Sequence, residues 1–194
     1  KMIAIVVMGI GVNILVVLAS MLFHVNIPSP EFTLFPYVFY LVTLNVPTLL
    51  FWVGISFFMV HVVRIPFLAL FILLGYLLLN TFILSNVAYG SIDVWSTDVP
   101  NVFSSLTGHV GPGLYLLQRF SFVVLAGGML LGSVIFQKRL TDRERCFRKL
   151  LGVAIGAVVL GGMLGYGYYS HYEEMNQKRK DYLVQYEKNR PEQN

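Results

Sequence analysis

Polar positions in this chain interrupt long apolar runs; they do not alternate with apolar ones. Residues 2–23 are apolar throughout except Asn13 and Ser20. About 20 apolar helical residues cross a bilayer core, so this run predicts a first span, with Asn13 facing another helix as interhelical glue or serving as a substrate ligand. Residues 24–35 contain Pro28, Ser29 and Pro30 and no Lys or Arg. The prolines forbid a regular helix, and a loop is expected. A second span lies within residues 34–63. Pro36 suits a first helical turn, whereas Pro47 removes a backbone bond and predicts a kink. Thr43, Asn45 and Thr48 cluster at that kink, placed either to satisfy freed carbonyls or to line a substrate path. Arg64-Ile65-Pro66 reads as a tight turn, and residues 66–84 as a third span. Asn80 is expected at its outer, interfacial end.

Residues 86–112 form the longest non-helical candidate. They carry Asp93, Asp98 and His109 and no Lys or Arg. They are not plain linker, because Val94, Trp95, Val99, Val102, Phe103 and Leu106 are apolar or aromatic. One or two short helices at the outer face, or dipping into it, are expected, one of them over residues 101–106 after Pro100. The spacing of Asp93, Asp98 and His109 matches no metal-ligand motif. A fourth span covers residues 113–136, with Gln118 and Arg119 in its first two turns. An ionisable residue at membrane depth invites a functional role. The plainer reading is that Arg119 snorkels to the surface or pairs with Asp93 or Asp98. Gly128 and Gly132 have the small-xxx-small spacing of close helix packing. A fifth span, 150–169, repeats it at Gly152/Gly156 and Gly161/Gly165, for packing on a neighbour or a second copy. Tyr166, Tyr168, Tyr169 and Tyr172 read as an aromatic belt.

Charge orients these spans. The loop 138–149 carries Lys138, Arg139, Arg143, Arg145, Arg148 and Lys149, and short Lys/Arg-rich loops stay cytoplasmic. The N-terminus is then cytoplasmic, and residues 86–112 and the stalk 170–194 are extracytoplasmic. Lys178, Arg179 and Lys180 run against that rule, but charges leading into long exported segments count weakly. With 56% hydrophobic and 12% charged residues and a mean hydropathy of +0.69, the chain is far from the quarter-charged soluble norm. The fold expected is an all-α membrane protein of about five transmembrane helices with short re-entrant or interfacial helices in the outer loop.

The net charge of +4 sits in one short loop and the tail, which gives no nucleic-acid surface. Cys146 is the single cysteine, so no disulfide within the chain is possible. The first run is not followed by an A-x-A-like site and does not read as a cleavable signal. Opening on Lys1 with a span at once, the sequence is expected to be part of a longer polypeptide. There is no G-x-x-x-x-G-K-[ST], H-E-x-x-H or G-x-S-x-G. His24, His61, His109 and His171 are scattered, and no carboxylate pair lies within a span. No catalytic residue, metal or cofactor is expected. A small lipid-acting enzyme built on Asp93, Asp98 and His109 is the weakest of the readings.

Several stretches carry a resemblance: Phe35-Pro-Tyr-Val-Phe-Tyr-Leu, Gly54-Ile-Ser-Phe-Phe, Leu74-Gly-Tyr, Val99-Pro-Asn-Val-Phe-Ser-Ser-Leu-Thr-Gly-His109 and Tyr115-Leu-Leu-Gln-Arg119. With the order of elements, they resemble the later part of a type-2 ABC exporter permease. More narrowly, they resemble a bacterial subgroup fused, after one extra span, to an exported aminopeptidase-N-like domain. Tyr182-Leu-Val-Gln-Tyr-Glu-Lys is similar to the stalk before that domain. The resemblance implies a permease-like region, residues 1–137, in the bacterial inner membrane. It implies a second permease half or copy and a separate nucleotide-binding ATPase subunit as partners, and the lipid bilayer as surroundings. Asn45, Thr48, Asn80 and Arg119 would then lie nearest the translocation path or its outer gate. The family's first two spans, its coupling helix and the peptidase's zinc motif are not in this sequence. The alternative is a membrane anchor for an exported domain with no transport role.

Overall fold

The computed structural model describes residues 2–25, 34–84, 87–96, 103–104, 108–109, 112–136 and 144–189. Five helices in it are long and apolar enough to cross a membrane, and the chain is an all-α membrane protein. They are α1 (Met2–Val25), α2 (Phe35–Val63), α3 (Pro66–Leu84), α4 (Pro112–Ile135) and α5 (Glu144–Asn189).

The proline in α2 acts through geometry. Pro47 has no N–H to give, and its ring crowds the carbonyl four residues back. The turn before it, Leu41–Asn45, widens to a π-helix, a common way for a helix to absorb such a defect. The Thr43 hydroxyl donates to the Phe39 carbonyl at 2.7 Å. Thr48 does not serve the kink; it reaches across to another segment. At the far end Arg64 closes α2 in the left-handed region, φ 58, and Pro66 opens α3. α3 also ends in a π-turn, Asn80–Leu84.

α2, α4 and α5 form the packed centre. Phe51, Ile55, Val94, Phe122 and Ala126 make one buried cluster, with Phe51 and Phe122 edge to face at 5.0 Å. Lipid supplies no hydrophobic drive between helices, so close backbone approach does this work. A Cβ at Gly54 would lie 3.0 Å from the Ala126 carbonyl oxygen, and one at Gly128 would lie 3.1 Å from the Ala154 carbonyl oxygen. A Cβ at Gly161 would strike Leu125.

The small-residue pairs do not all act as spaced. Gly128 faces α5, but Gly132 faces Phe58 of α2. Gly161 and Gly165 face Leu125 and Ser121 of α4, whereas Gly152 and Gly156 meet nothing within 4 Å. Within this chain Gly152 and Gly156 pack on none of the described residues: they share the turns of Ala154 and Val158, which meet Gly128 of α4, but lie on the exposed face of α5. Gly54, by contrast, is a contact that its spacing did not announce.

α1 stands apart. None of residues 3–24 is buried. It touches α2 where Leu49 meets Gly9 and where the Tyr37 hydroxyl lies 2.9 Å from His24 Nδ1. Asn13 donates to the Gly9 carbonyl of its own helix at 2.9 Å, so its amide does not bridge helices as expected.

α5 is one continuous helix of 46 residues. At 1.5 Å per residue that is roughly 70 Å, more than twice a bilayer core of about 30 Å. It starts inside the basic stretch and carries through the segment 170–189 without a break. Its tyrosines are not one belt: Tyr166 is exposed, but Tyr168 is fully buried. Phe103–Ser104 pairs antiparallel with Gly108–His109, so Phe103 and Ser104 are not in the short helix expected over 101–106, whose other positions lie outside the described residues. Asp98, Lys138, Arg139 and Arg143 lie outside the described residues, as do the side chains of His109 and Arg145.

Candidate functional site: a polar clasp on a buried segment

Residues 87–96 are not helical in any extended way, yet Gly90, Asp93, Val94 and Ser96 are buried among the spans. Non-helical backbone survives at membrane depth only where protein satisfies its polar groups. Here the satisfaction comes from side chains of four helices.

The carbonyls of residues 89–94 receive most of it. Val94 O accepts from the Thr48 hydroxyl of α2 at 2.9 Å and from the Arg119 guanidinium of α4 at 2.8 Å. Asp93 O accepts from Arg119 at 3.0 Å and from the Gln118 amide at 3.0 Å. Gln118 also donates to Gly90 O at 2.9 Å. Asn80 of α3 donates to Ile92 O at 3.0 Å and accepts the Val94 N–H at 3.3 Å. The Tyr168 hydroxyl of α5 donates to Tyr89 O at 3.1 Å. A further bond from Arg119 reaches Thr48 Oγ1 at 3.3 Å, which ties α4 to α2 directly.

The reason for arginine is geometric. Its planar fork presents several donors in fixed directions, so one side chain holds two successive carbonyls. The guanidinium carbon also lies 5.4 Å from the Phe122 ring and 5.9 Å from the Tyr115 ring, within cation–π range. Arg119 is 2% exposed and Asn80 0%. Arg119 does not snorkel, and Asn80, at the end of its span, is enclosed by protein: both side chains point inward to the buried carbonyls. Arg119 Nε and Gln118 Oε1 are buried without a partner among the described residues.

The segment stores strain at its start. Ala88 and Tyr89 have φ 55 and 56, left-handed values that cost an L-residue about 1–2 kcal/mol each. Tyr89 is locked from α5: its hydroxyl donates to Glu173 Oε2 at 2.8 Å and accepts from the Asn176 amide at 2.8 Å. The hydrogen bond to Glu173 pushes the Tyr89 hydroxyl above its ordinary pKa. Asp93 Oδ1 accepts the Trp95 N–H at 2.9 Å, a local turn that caps the segment.

Of the four residues expected along a path or gate, the fold brings Thr48, Asn80 and Arg119 onto one segment. Asn45 is elsewhere, in a narrow crevice between α1 and α2 with Asn13. Sequence reasoning missed Gln118 as a member, although its place beside Arg119 was visible. It passed over Tyr89 and read Tyr168 only as part of an aromatic belt, because nothing local marks a tyrosine whose partner lies 79 residues away. Most donors of the clasp are spent on the chain's own backbone. Among the described residues, no group of three His, Cys, Asp or Glu comes together. Comparison with family models, with curated proteins and with solved structures finds no match to this chain.

Proposed function

We propose that this chain is the membrane-spanning part of a permease of the type-2 ABC exporter kind. A second permease half or copy completes the translocation path, and a separate ATPase subunit drives it. The observation that supports this reading is the clasped segment between the third and fourth spans. That is where the resembled architecture has its re-entrant outer element, and Thr48, Asn80, Gln118 and Arg119 seat this segment among the helices. In this reading residues 87–96 are the outer gate, and alternating access makes and breaks the clasp. The test is co-purification of the parent protein with candidate ATPase subunits, followed by measurement of ATPase stimulation. Association with stimulation that Arg119→Met uncouples supports the reading; no association and no stimulation removes it.

A second reading has its own observation. α5 runs unbroken from its spanning part into a charged stalk, with Lys178 and Glu174 paired at 2.6 Å on the exposed face. Such a helix suits an anchor for an exported domain. Replacing residues 1–137 with one unrelated span distinguishes the two: full retention of cellular function selects the anchor.

A further inference from the structure

A cavity of about 480 Å³ lies beside the clasp, between α2, α3, α4 and α5, beneath residues 88–92. Phe51, Phe122, Leu125 and Met129 form its inner wall, and Gly161 and Gly162 of α5 open its far side. Among the described residues, no Asp, Glu, Lys, Arg or His lines it. Its size falls in the range of small-ligand sites, which are mostly apolar with a few polar groups.

The cavity exists because α5 offers glycine where other residues would fill space. A Cβ at Gly161 would strike Leu125, which sets the close crossing of α4 and α5. A Cβ at Gly162 would meet nothing within 4 Å. Gly162 and Tyr166 are exposed, and both belong to a helix apolar enough to span a bilayer. The mouth of the cavity therefore opens sideways into hydrocarbon. The roof is the turn at Ala88, left-handed and held down by Tyr168 and Gln118 through the carbonyls of Tyr89 and Gly90.

We infer that this cavity binds one acyl chain of a phospholipid from the leaflet on the side of residues 87–96. An apolar cavity does not draw in water, and an empty one forfeits dispersion contacts along its whole lining. At a mouth in hydrocarbon the species at hand is a lipid chain. The described lining offers no charge to pair with an ionic head inside. Ser91, Tyr166 and Tyr169 stand on the same side as the roof, where the ester and head of the lipid meet polar atoms. The roof makes the chain a resident, unlike the lipids that pass along α1. The inference holds whether or not the chain belongs to an exporter.

The experiment uses the full chain in vesicles of phosphatidylethanolamine and phosphatidylglycerol. A fraction of the phosphatidylethanolamine carries a diazirine near the end of one acyl chain. After photolysis, adducts are mapped by mass spectrometry. Adducts should concentrate on Leu125, Met129 and residues 161–166, several-fold above the level on lipid-exposed α1. Gly162→Leu, whose Cβ meets none of the described residues within 4 Å, fills the space and should reduce them to the α1 level. Gly156→Leu makes the same change at an equally open site outside the cavity and should leave them unchanged. Adducts spread evenly over α1 and α5 in the unaltered chain overturn the proposal, as does a folded Gly162→Leu protein with an unaltered pattern.

Discussion

The guanidinium of Arg119 holds the carbonyls of two successive residues, Val94 at 2.8 Å and Asp93 at 3.0 Å, and it is Val94 whose N–H Asn80 accepts. Two helices thus grip one residue of a non-helical segment from opposite polar ends. A cation inside a membrane span is expensive, and here it is offset by acceptors that would otherwise be under-satisfied.

That arrangement makes Arg119 and Asn80 energetically coupled. Arg119→Met keeps bulk and removes the fork; a hydrogen bond to a charged group contributes about 1.5–3 kcal/mol, and a loss on the order of 2 kcal/mol is expected. Arg119→Lys should fall between, because a point charge cannot hold both carbonyls. Asn80→Leu strands the Val94 N–H, costing about 1–3 kcal/mol for a buried unpaired group. In the double variant the losses should fail to add by about 1 kcal/mol or more. Unfolding in SDS measures the four variants against the parent, and strict additivity would show that the two side chains do not act on a common segment.

Glycine positions separate packing from mere composition. Gly54→Ala places a methyl 3.0 Å from the Ala126 carbonyl oxygen. Backbone cannot yield as a side chain can, so α2 and α4 must part, at a cost of about 1–3 kcal/mol. Gly156→Ala meets nothing within 4 Å and should be neutral, or stabilising by up to about 1 kcal/mol through helix propensity. Equal effects on thermal unfolding in detergent would contradict this packing of α2 on α4.

Alkaline pH should loosen the turn through Tyr89. Its pKa is raised above the ordinary 10.0 chiefly by the hydrogen bond to Glu173. A raised folded pKa means the stabilisation is complete below the unfolded value and fades as pH climbs through the folded one. The difference in melting temperature between the parent and Tyr89→Phe should be steady from about pH 8 to about pH 10 and shrink above it. A difference that stays constant to about pH 11 would mean that the Tyr89 proton takes no part.

Much of the architecture could be read without coordinates. Apolar runs bounded by Pro28, Pro30, Arg64-Ile65-Pro66 and Pro112 mark the spans, because hydrocarbon admits few exceptions to length and composition. A defect in the helix at Pro47 was equally legible, since ring geometry does not depend on neighbours, and it takes the form of the π-turn Leu41–Asn45. The candidate site was half legible. Thr48, Asn80 and Arg119 stood out as polar residues in apolar runs, but the same signal picked out Asn45, which faces α1 instead. Gly152 and Gly156 share the spacing of Gly161 and Gly165, and only which face of α5 meets α4 separates them.

The sequence by itself determined that this chain crosses a bilayer and where it does so, because insertion is a property of each segment taken alone. It also marked which polar residues must find partners. The tertiary structure decided who those partners are: carbonyls of residues 89–94, reached from four helices. That choice depends on helix crossing points set by Gly54, Gly128 and Gly161, and on the left-handed turn at Ala88 and Tyr89. Such features arise between segments, where the periodicity of any single segment carries no information.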